Sequence, residues 1–201
     1  MNYVAHAFLA PRTPLGLLGN MLGDFVKGGL PGELEPELAA AVAQHRRIDA
    51  LCDRHPAFVA SRRRLFGSFS HYAGVIVDVL YDHLLFDEWD RYADVPFDAF
   101  VDYVYDTVDR ERNRLPPVLA TEADRLVEVD AFRRYRTPDD LREALRRLGL
   151  RTRRPVELPP AVDRFLADRD AFAGEFRAVF DALTSLGDTL ADPRDRRPET
   201  P

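Results

Sequence analysis

Val75-Ile76-Val77-Asp78-Val79-Leu80-Tyr81-Asp82-His83-Leu84-Leu85 is the stretch on which the fold turns. Its residues Val75, Ile76, Val79, Leu80, Leu84 and Leu85 recur at helical spacing, whereas a strand exposed on one face alternates every second residue. The run predicts an apolar helix over about residues 70–90. It is interrupted by carboxylates and falls short of the roughly 20 apolar residues that span a bilayer. Two carboxylates, Asp78 and Asp82, share a face of this helix with His71, and His83 lies about 100° round from Asp82. An ionised carboxylate among so many apolar neighbours is costly unless it is paired or bound to a metal.

Working outward, the pattern stays helical. Toward the N-terminus, Pro36 suits the first turn of a helix running to about Arg54, and His55-Pro56 closes it, because a residue before proline disfavours helix. Residues 57–66 form a shorter helix. Residues 15–27 form another, whose Gly19 and Gly23 leave a bare strip for a close helix neighbour, with Gly28, Gly29 and Pro31 ending it. A short first helix covers about 2–9. Toward the C-terminus, helices are predicted from Phe97 to Val108 and over 117–135, 138–149 and 160–186. No strand alternation and no repeat stands out. The expected fold is all-α: one helical bundle over 1–186, divided into a metal-site half (1–90) and a scaffold and partner half (91–186). The polar, proline-rich tail 187–201 is expected to be disordered.

Charge is unevenly spread. The net charge is −6, which argues against a dedicated nucleic-acid binder. Asp94, Asp98, Asp102 and Asp106 form a stripe read as a solvated face, while residues 133–154 carry nine arginines. Lys27 is the one lysine. The single cysteine, Cys52, excludes an intramolecular disulfide and reads as packing rather than as a nucleophile. With no export-signal pattern at its start and no membrane-spanning run, the chain is expected in the cytoplasm.

All five histidines (His6, His45, His55, His71 and His83) fall in the first 83 residues, each near an aspartate. Imidazole with carboxylate is a ligand set for divalent metals and for acid–base chemistry. His45, Asp49 and Asp53 follow at four-residue steps and so point to one side of their helix. Asp24 follows an apolar run, and His6 sits inside Val4-Ala5-His6-Ala7-Phe8. The plain structural alternative is that the aspartates pair with Arg46, Arg47 or Arg62–Arg64, that His6 is a core histidine bonded to backbone, and that His55 is a helix cap. No nucleophile elbow, Walker loop, dinucleotide fingerprint or zinc-finger pattern occurs.

At these phrases the chain resembles the acyl carrier protein phosphodiesterases. The resemblance rests on Met1-Asn2-Tyr3-Val4-Ala5-His6, on Gly19-Asn20-Met21-Leu22-Gly23-Asp24-Phe25-Val26, on His45-Arg46-Arg47-Ile48-Asp49 through Asp53, and on Asp78-Val79-Leu80-Tyr81-Asp82-His83 followed by Trp89. Four motifs in order cover residues 1–90; beyond them agreement is looser, at Phe132, Tyr135, Phe176 and Phe180. The family has threonine where Cys52 stands and often tryptophan where Phe132 stands.

The resemblance implies hydrolysis of the phosphodiester joining 4′-phosphopantetheine to a carrier-protein serine. It also implies a non-standard branch of the HD-type metal phosphohydrolases, with manganese as the metal. The implied metal ligands are Asp24, His45, Asp82, His83 and His6, with Asp49 and Asp78 as catalytic or ligand-orienting carboxylates. Arg46, Arg47 and Lys27 would bind phosphate, and Arg62, Arg63 and Arg64 would dock the acidic carrier. Two other readings stay open: an HD-like enzyme acting on a nucleotide or other small phosphoester, and a non-catalytic helical interaction module.

Overall fold

Eleven α-helices and four short 3₁₀ segments, with no strand, make up the described residues of this computed structural model, 1–28 and 34–190, the last five as backbone alone. The helices are α1 (Tyr3–Phe8), α2 (Pro14–Met21), α3 (Pro36–Arg54), α4 (Pro56–Phe69), α5 (Ala73–Asp87), α6 (Trp89–Tyr92), α7 (Phe97–Glu111), α8 (Pro117–Glu128), α9 (Pro138–Leu150), α10 (Ala161–Ala167) and α11 (Arg169–Leu190). The all-α reading therefore holds. Gly29 and Pro31, read as helix terminators, lie outside the described residues, as do 191–201 of the predicted tail; residues 187–190 continue α11.

Proline opens α2, α3, α4, α8 and α9, where its fixed φ suits the first turn and its missing N–H is no loss. Thr13 caps α2 through the Gly16 N–H, and Thr137 with Asp140 forms a capping box on α9. His55 Nδ1 accepts from the Ala57 N–H at 3.3 Å, so His55 is a cap of α4.

Four predicted helices are broken where local backbone departs from helix. The 15–27 helix stops at Met21 and tightens into a 3₁₀ turn over Gly23–Phe25. The 160–186 run divides at Asp168 and the 70–90 run at Glu88; the latter begins as a 3₁₀ turn over Ser70–Tyr72, with Ser70 at φ +48°, and the 117–135 run divides at Asp130, also at φ +48°. Left-handed conformations are uncommon for residues other than glycine, so sequence pattern gave no sign of them.

Helix α5 is the central element, packing against α1, α4, α9 and α11. Ile76, Val77, Leu80, Tyr81, Leu84 and Leu85 are all buried, so the helix is apolar nearly all round, as a core helix should be. Burying each such side chain contributes roughly 1.5–3 kcal/mol. One apolar cluster extends from Val4 on α1 to Leu183 on α11, drawing on both halves of the chain. Buried Ser61 ties α4 to its neighbours, lying 2.9 Å from the Tyr81 hydroxyl and donating to Glu175 at 2.6 Å.

Helix α2 packs on α3 through the glycine strip. A Cβ on Gly19 would lie 2.7 Å from the Ala41 Cβ and 2.8 Å from the Leu38 carbonyl oxygen, so only glycine admits this approach. The aspartate stripe leading into and along α7 is solvent-exposed as expected, and two of its members are paired: Arg133 with Asp98 at 2.6 Å and Asp102 at 2.5 Å, and Arg136 with Asp98. The acidic and arginine-rich segments thus partly neutralise each other. No helix among the described residues is long and apolar enough to cross a membrane.

Candidate metal centre

Three side chains from two helices converge at the α1–α3 contact. His6 on α1 and His45 and Asp49 on α3 each offer a ligand atom within 4.8 Å of the others, a group able to hold a metal ion. His6 Nε2 lies 3.1 Å from Asp49 Oδ1, and His45 Nε2 lies 3.1 Å from Asp49 Oδ2. Asp24, on the 3₁₀ turn after α2, brings Oδ1 to 3.3 Å from the same His45 nitrogen. The two imidazoles stack with centroids 3.8 Å apart and are almost fully buried, while Asp24 is exposed.

The second nitrogen of each ring decides what the first can do. Asn20 Nδ2 donates to Gln44 Oε1 at 3.0 Å, which leaves Asn20 Oδ1 to accept from His6 Nδ1 at 2.9 Å. The Asn20 carbonyl oxygen accepts from His45 Nδ1 at 2.8 Å. Nδ1 thus anchors each ring and leaves Nε2 facing Asp49. That is the arrangement a divalent ion requires of histidine, so the residues present fit a metal. Sequence reasoning gave Asn20 no role, although a fully buried polar residue in an apolar helix is itself a signal. Converting Asn20 to alanine is expected to weaken metal binding about 10–100-fold, the usual effect of removing a group that orients a ligand. Unchanged affinity in a Mn²⁺ titration would remove Asn20 from the site.

Electrostatics follow from this crowding. Burial alone would lower the basicity of His45, but its hydrogen bonds to Asp24 and Asp49 outweigh it and push the pKa up to about 9. Burial holds His6 below its ordinary value. Asp49 is held well below the carboxylate range: burial opposes its charge, and the hydrogen bonds from His45 and His6 outweigh that. The hydrogen bond from His45 also lowers Asp24 from its ordinary value. Without a metal, then, one proton sits on His45 between two carboxylates.

A recess of about 330 Å³ opens over the centre, lined by Asp24, His45 and Asp49 together with Lys27 and Arg46. Arg46 is fixed there by donating from Nη2 to the Val26 carbonyl oxygen at 2.9 Å. Arg47 is exposed and does not line the recess. Gly23 makes room for the His45 ring, since a Cβ there would fall 2.3 Å from its Cγ.

The structure places the remaining predicted residues apart from this group. Asp82 is fully buried and accepts from the Val4 N–H at 3.0 Å and the Ala5 N–H at 3.1 Å, so it caps α1 from across the bundle. His83 gives Nδ1 to the Tyr135 carbonyl oxygen at 2.7 Å and turns Nε2 to Asp87 at 3.2 Å. Asp78 lies 2.9 Å from the Met1 α-ammonium, which also reaches Asp49 at 3.3 Å, so Asp78 touches the centre only through that bridge. Asp53 is exposed, and Cys52 is buried with its thiol pushed up to about 12 by that burial, an inert packing residue. Arg64 is engaged by Glu175 at 3.0 Å, while Arg62 is half-buried and Arg63 exposed.

Burial raises the Asp82 carboxyl from 3.8 to about 7 despite its two N–H donors. A folded-state value above the unfolded one means stability is fullest below about pH 4 and is lost as pH rises through about 7. The loss is bounded at about 1.4 kcal/mol per pH unit. The Asp82→Asn protein is expected to lack it, giving a flatter pH profile in urea unfolding of the metal-free protein. Parallel profiles for the two proteins would contradict this.

The family model described as acyl carrier protein phosphodiesterase matches residues 1–183. A Photorhabdus laumondii protein of that name is 31% identical over 132 residues, covering 66% of this chain and 64% of the relative. A Yersinia enterocolitica protein of the same name is 40% identical over 91 residues, covering 45% and 47% respectively. One from Salmonella agona is 32% identical over 156 residues, covering 77% and 80%. The matched length is thus under two thirds of the first relative and about half of the second. No solved structure matches the chain. On the family match over nearly its whole described length, the chain belongs to the acyl carrier protein phosphodiesterase family.

Proposed function

We propose that this protein hydrolyses the phosphodiester joining 4′-phosphopantetheine to a carrier-protein serine, using a divalent metal, with manganese as the preferred ion. The observation that carries the reading is the pair of imidazoles with Nε2 turned to Asp49 beneath a recess that also holds Lys27 and Arg46. Family membership supplies the substrate class.

His6 Nε2, His45 Nε2 and the Asp49 carboxylate would hold the ion, with Asp24 adjoining. A divalent ion supplies acidification of water and neutralisation of phosphate charge. Arg46 and Lys27 bind the non-bridging phosphate oxygens, the guanidinium by paired N–H donors and the ammonium as a point charge. The exposed Asp24 carboxylate accepts the proton of the attacking water. The bond from phosphorus to the serine oxygen breaks, the serine oxygen regains a proton, and 4′-phosphopantetheine leaves as a phosphate monoester. Asp82 supports this centre by holding α1, the helix that carries His6. With Arg64 engaged by Glu175, Arg62 and Arg63 are left to meet an acidic carrier. The helical frame with histidine and aspartate on separate helices supports kinship with HD-type phosphohydrolases, acting in the cytoplasm.

The test is incubation of the protein with holo carrier protein and Mn²⁺, followed by intact mass measurement of the carrier. The expected result is loss of one phosphopantetheine mass, abolished by chelator. Cleavage of free nucleotides with no loss from the carrier would overturn the substrate assignment.

A further inference from the structure

We infer that a groove running from Asp24 across α5, α8 and α9 seats the pantetheine arm of the substrate, a role that rests on the phosphodiesterase reading above. The groove encloses about 340 Å³, within the range of small-molecule sites. Asp24 lines both this groove and the recess, so the two adjoin at that carboxylate, beside the place proposed for the phosphodiester.

The lining divides into two chemistries. Val75 and Val79 on α5 and Ala144 and Leu148 on α9 give an apolar floor, and Val75 is 37% exposed, an apolar side chain left open to solvent. Arg125 on α8, Arg134, and Arg147 and Arg151 at the end of α9 also line it. Arg147 is paired with Glu143, and Arg125 with Glu122. Arg134 is half-buried, yet neither it nor Arg151 has an ion pair among the described residues. Guanidinium groups without carboxylate partners beside an apolar floor await an acceptor-rich ligand.

The arm has that chemistry. It alternates methylene and gem-dimethyl segments with two amide carbonyls and a hydroxyl, and ends in an anionic phosphodiester joined to an acidic protein. Its apolar segments match the floor, and its carbonyls and anionic end match the arginines. Apart from Asp24, no carboxylate lines the groove to repel the anion.

The experiment compares kcat/KM for holo carrier with kcat/KM for bis(p-nitrophenyl) phosphate, a diester with no arm, in the wild type and in Ala144→Phe and Arg134→Gln. The ratio is expected to fall about 30-fold in Ala144→Phe, through KM, and several-fold in Arg134→Gln. A folding defect would lower both rates and leave the ratio alone. In a second measurement on the wild type, free pantetheine is expected to compete with holo carrier and to shift the amide resonances of Val75, Ala144 and Leu148. An unchanged ratio in both variants, or pantetheine shifts confined to other residues, would overturn the groove assignment. If the wild type leaves holo carrier intact, the hydrolase reading fails, and the pantetheine shifts decide the groove separately.

Discussion

Under the proposed phosphodiesterase activity, replacing Asp49 with asparagine is expected to lower hydrolysis of holo carrier at least about 10³-fold, equivalent to about 4 kcal/mol of transition-state stabilisation. Among the described residues, Asp49 alone contacts both imidazole Nε2 atoms, at 3.1 Å each. An amide in its place offers one neutral oxygen, so the centre loses the negative charge that a divalent ion needs and the bridge between its two nitrogen ligands. The second readout is thermal: Mn²⁺ is expected to raise the melting temperature of the wild type, since a ligand bound to the folded state stabilises it, and to leave Asp49→Asn almost unmoved. A melting shift equal to that of the wild type would remove Asp49 from the metal set. So would retention of most activity.

Gly23→Ala is the second large effect, and it acts without touching a ligand atom. The added Cβ would stand 2.3 Å from Cγ and 2.6 Å from Cδ2 of His45. The ring cannot swing aside cheaply, because its Nδ1 is bonded to the Asn20 carbonyl oxygen and its face is stacked on His6. Overpacking of this kind costs about 1–3 kcal/mol of stability. Tilting the ring by a few tenths of an ångström also misdirects Nε2, so metal affinity is expected to fall by a further order of magnitude or more. Gly67→Ala is the matched control: a Cβ there meets nothing within 4 Å, and the helix interior favours alanine by up to about 1 kcal/mol. Urea unfolding should move the two variants in opposite directions. Equal stability of Gly23→Ala and the wild type would show that the ring has slack.

Much of this was legible in advance, and the reasons are specific. The four-residue step from His45 to Asp49 is a helix-surface pattern and survives intact because α3 is regular there; of the glycine pair, Gly19 meets α3 from α2, while Gly23 does so from the 3₁₀ turn that follows it. Asp82 and His83 were harder to place. A carboxylate among apolar neighbours announces a partner but not which one, and the partners of Asp82 are backbone N–H groups 77 and 78 residues away. The His83 partner is likewise a backbone carbonyl, 52 residues on. Backbone groups exist at every position and leave no mark in sequence. Asn20 escaped notice for a related reason: its role is defined by two rings on two other helices, and only their meeting gives it meaning.

The capping of α1 by Asp82 has a consequence for how the protein is made. Six residues are too few for a helix to persist alone in water, so α1 and its His6 have no fixed position until something holds them. The clamp that holds them is more than seventy residues downstream and closes only after that much chain has been synthesised. During translation His45 and Asp49 therefore appear before their third partner is in place, and the nascent chain presents an incomplete ligand set. For the proposed metal centre, capture of the ion is thereby tied to completion of the core rather than to the emergence of the ligands.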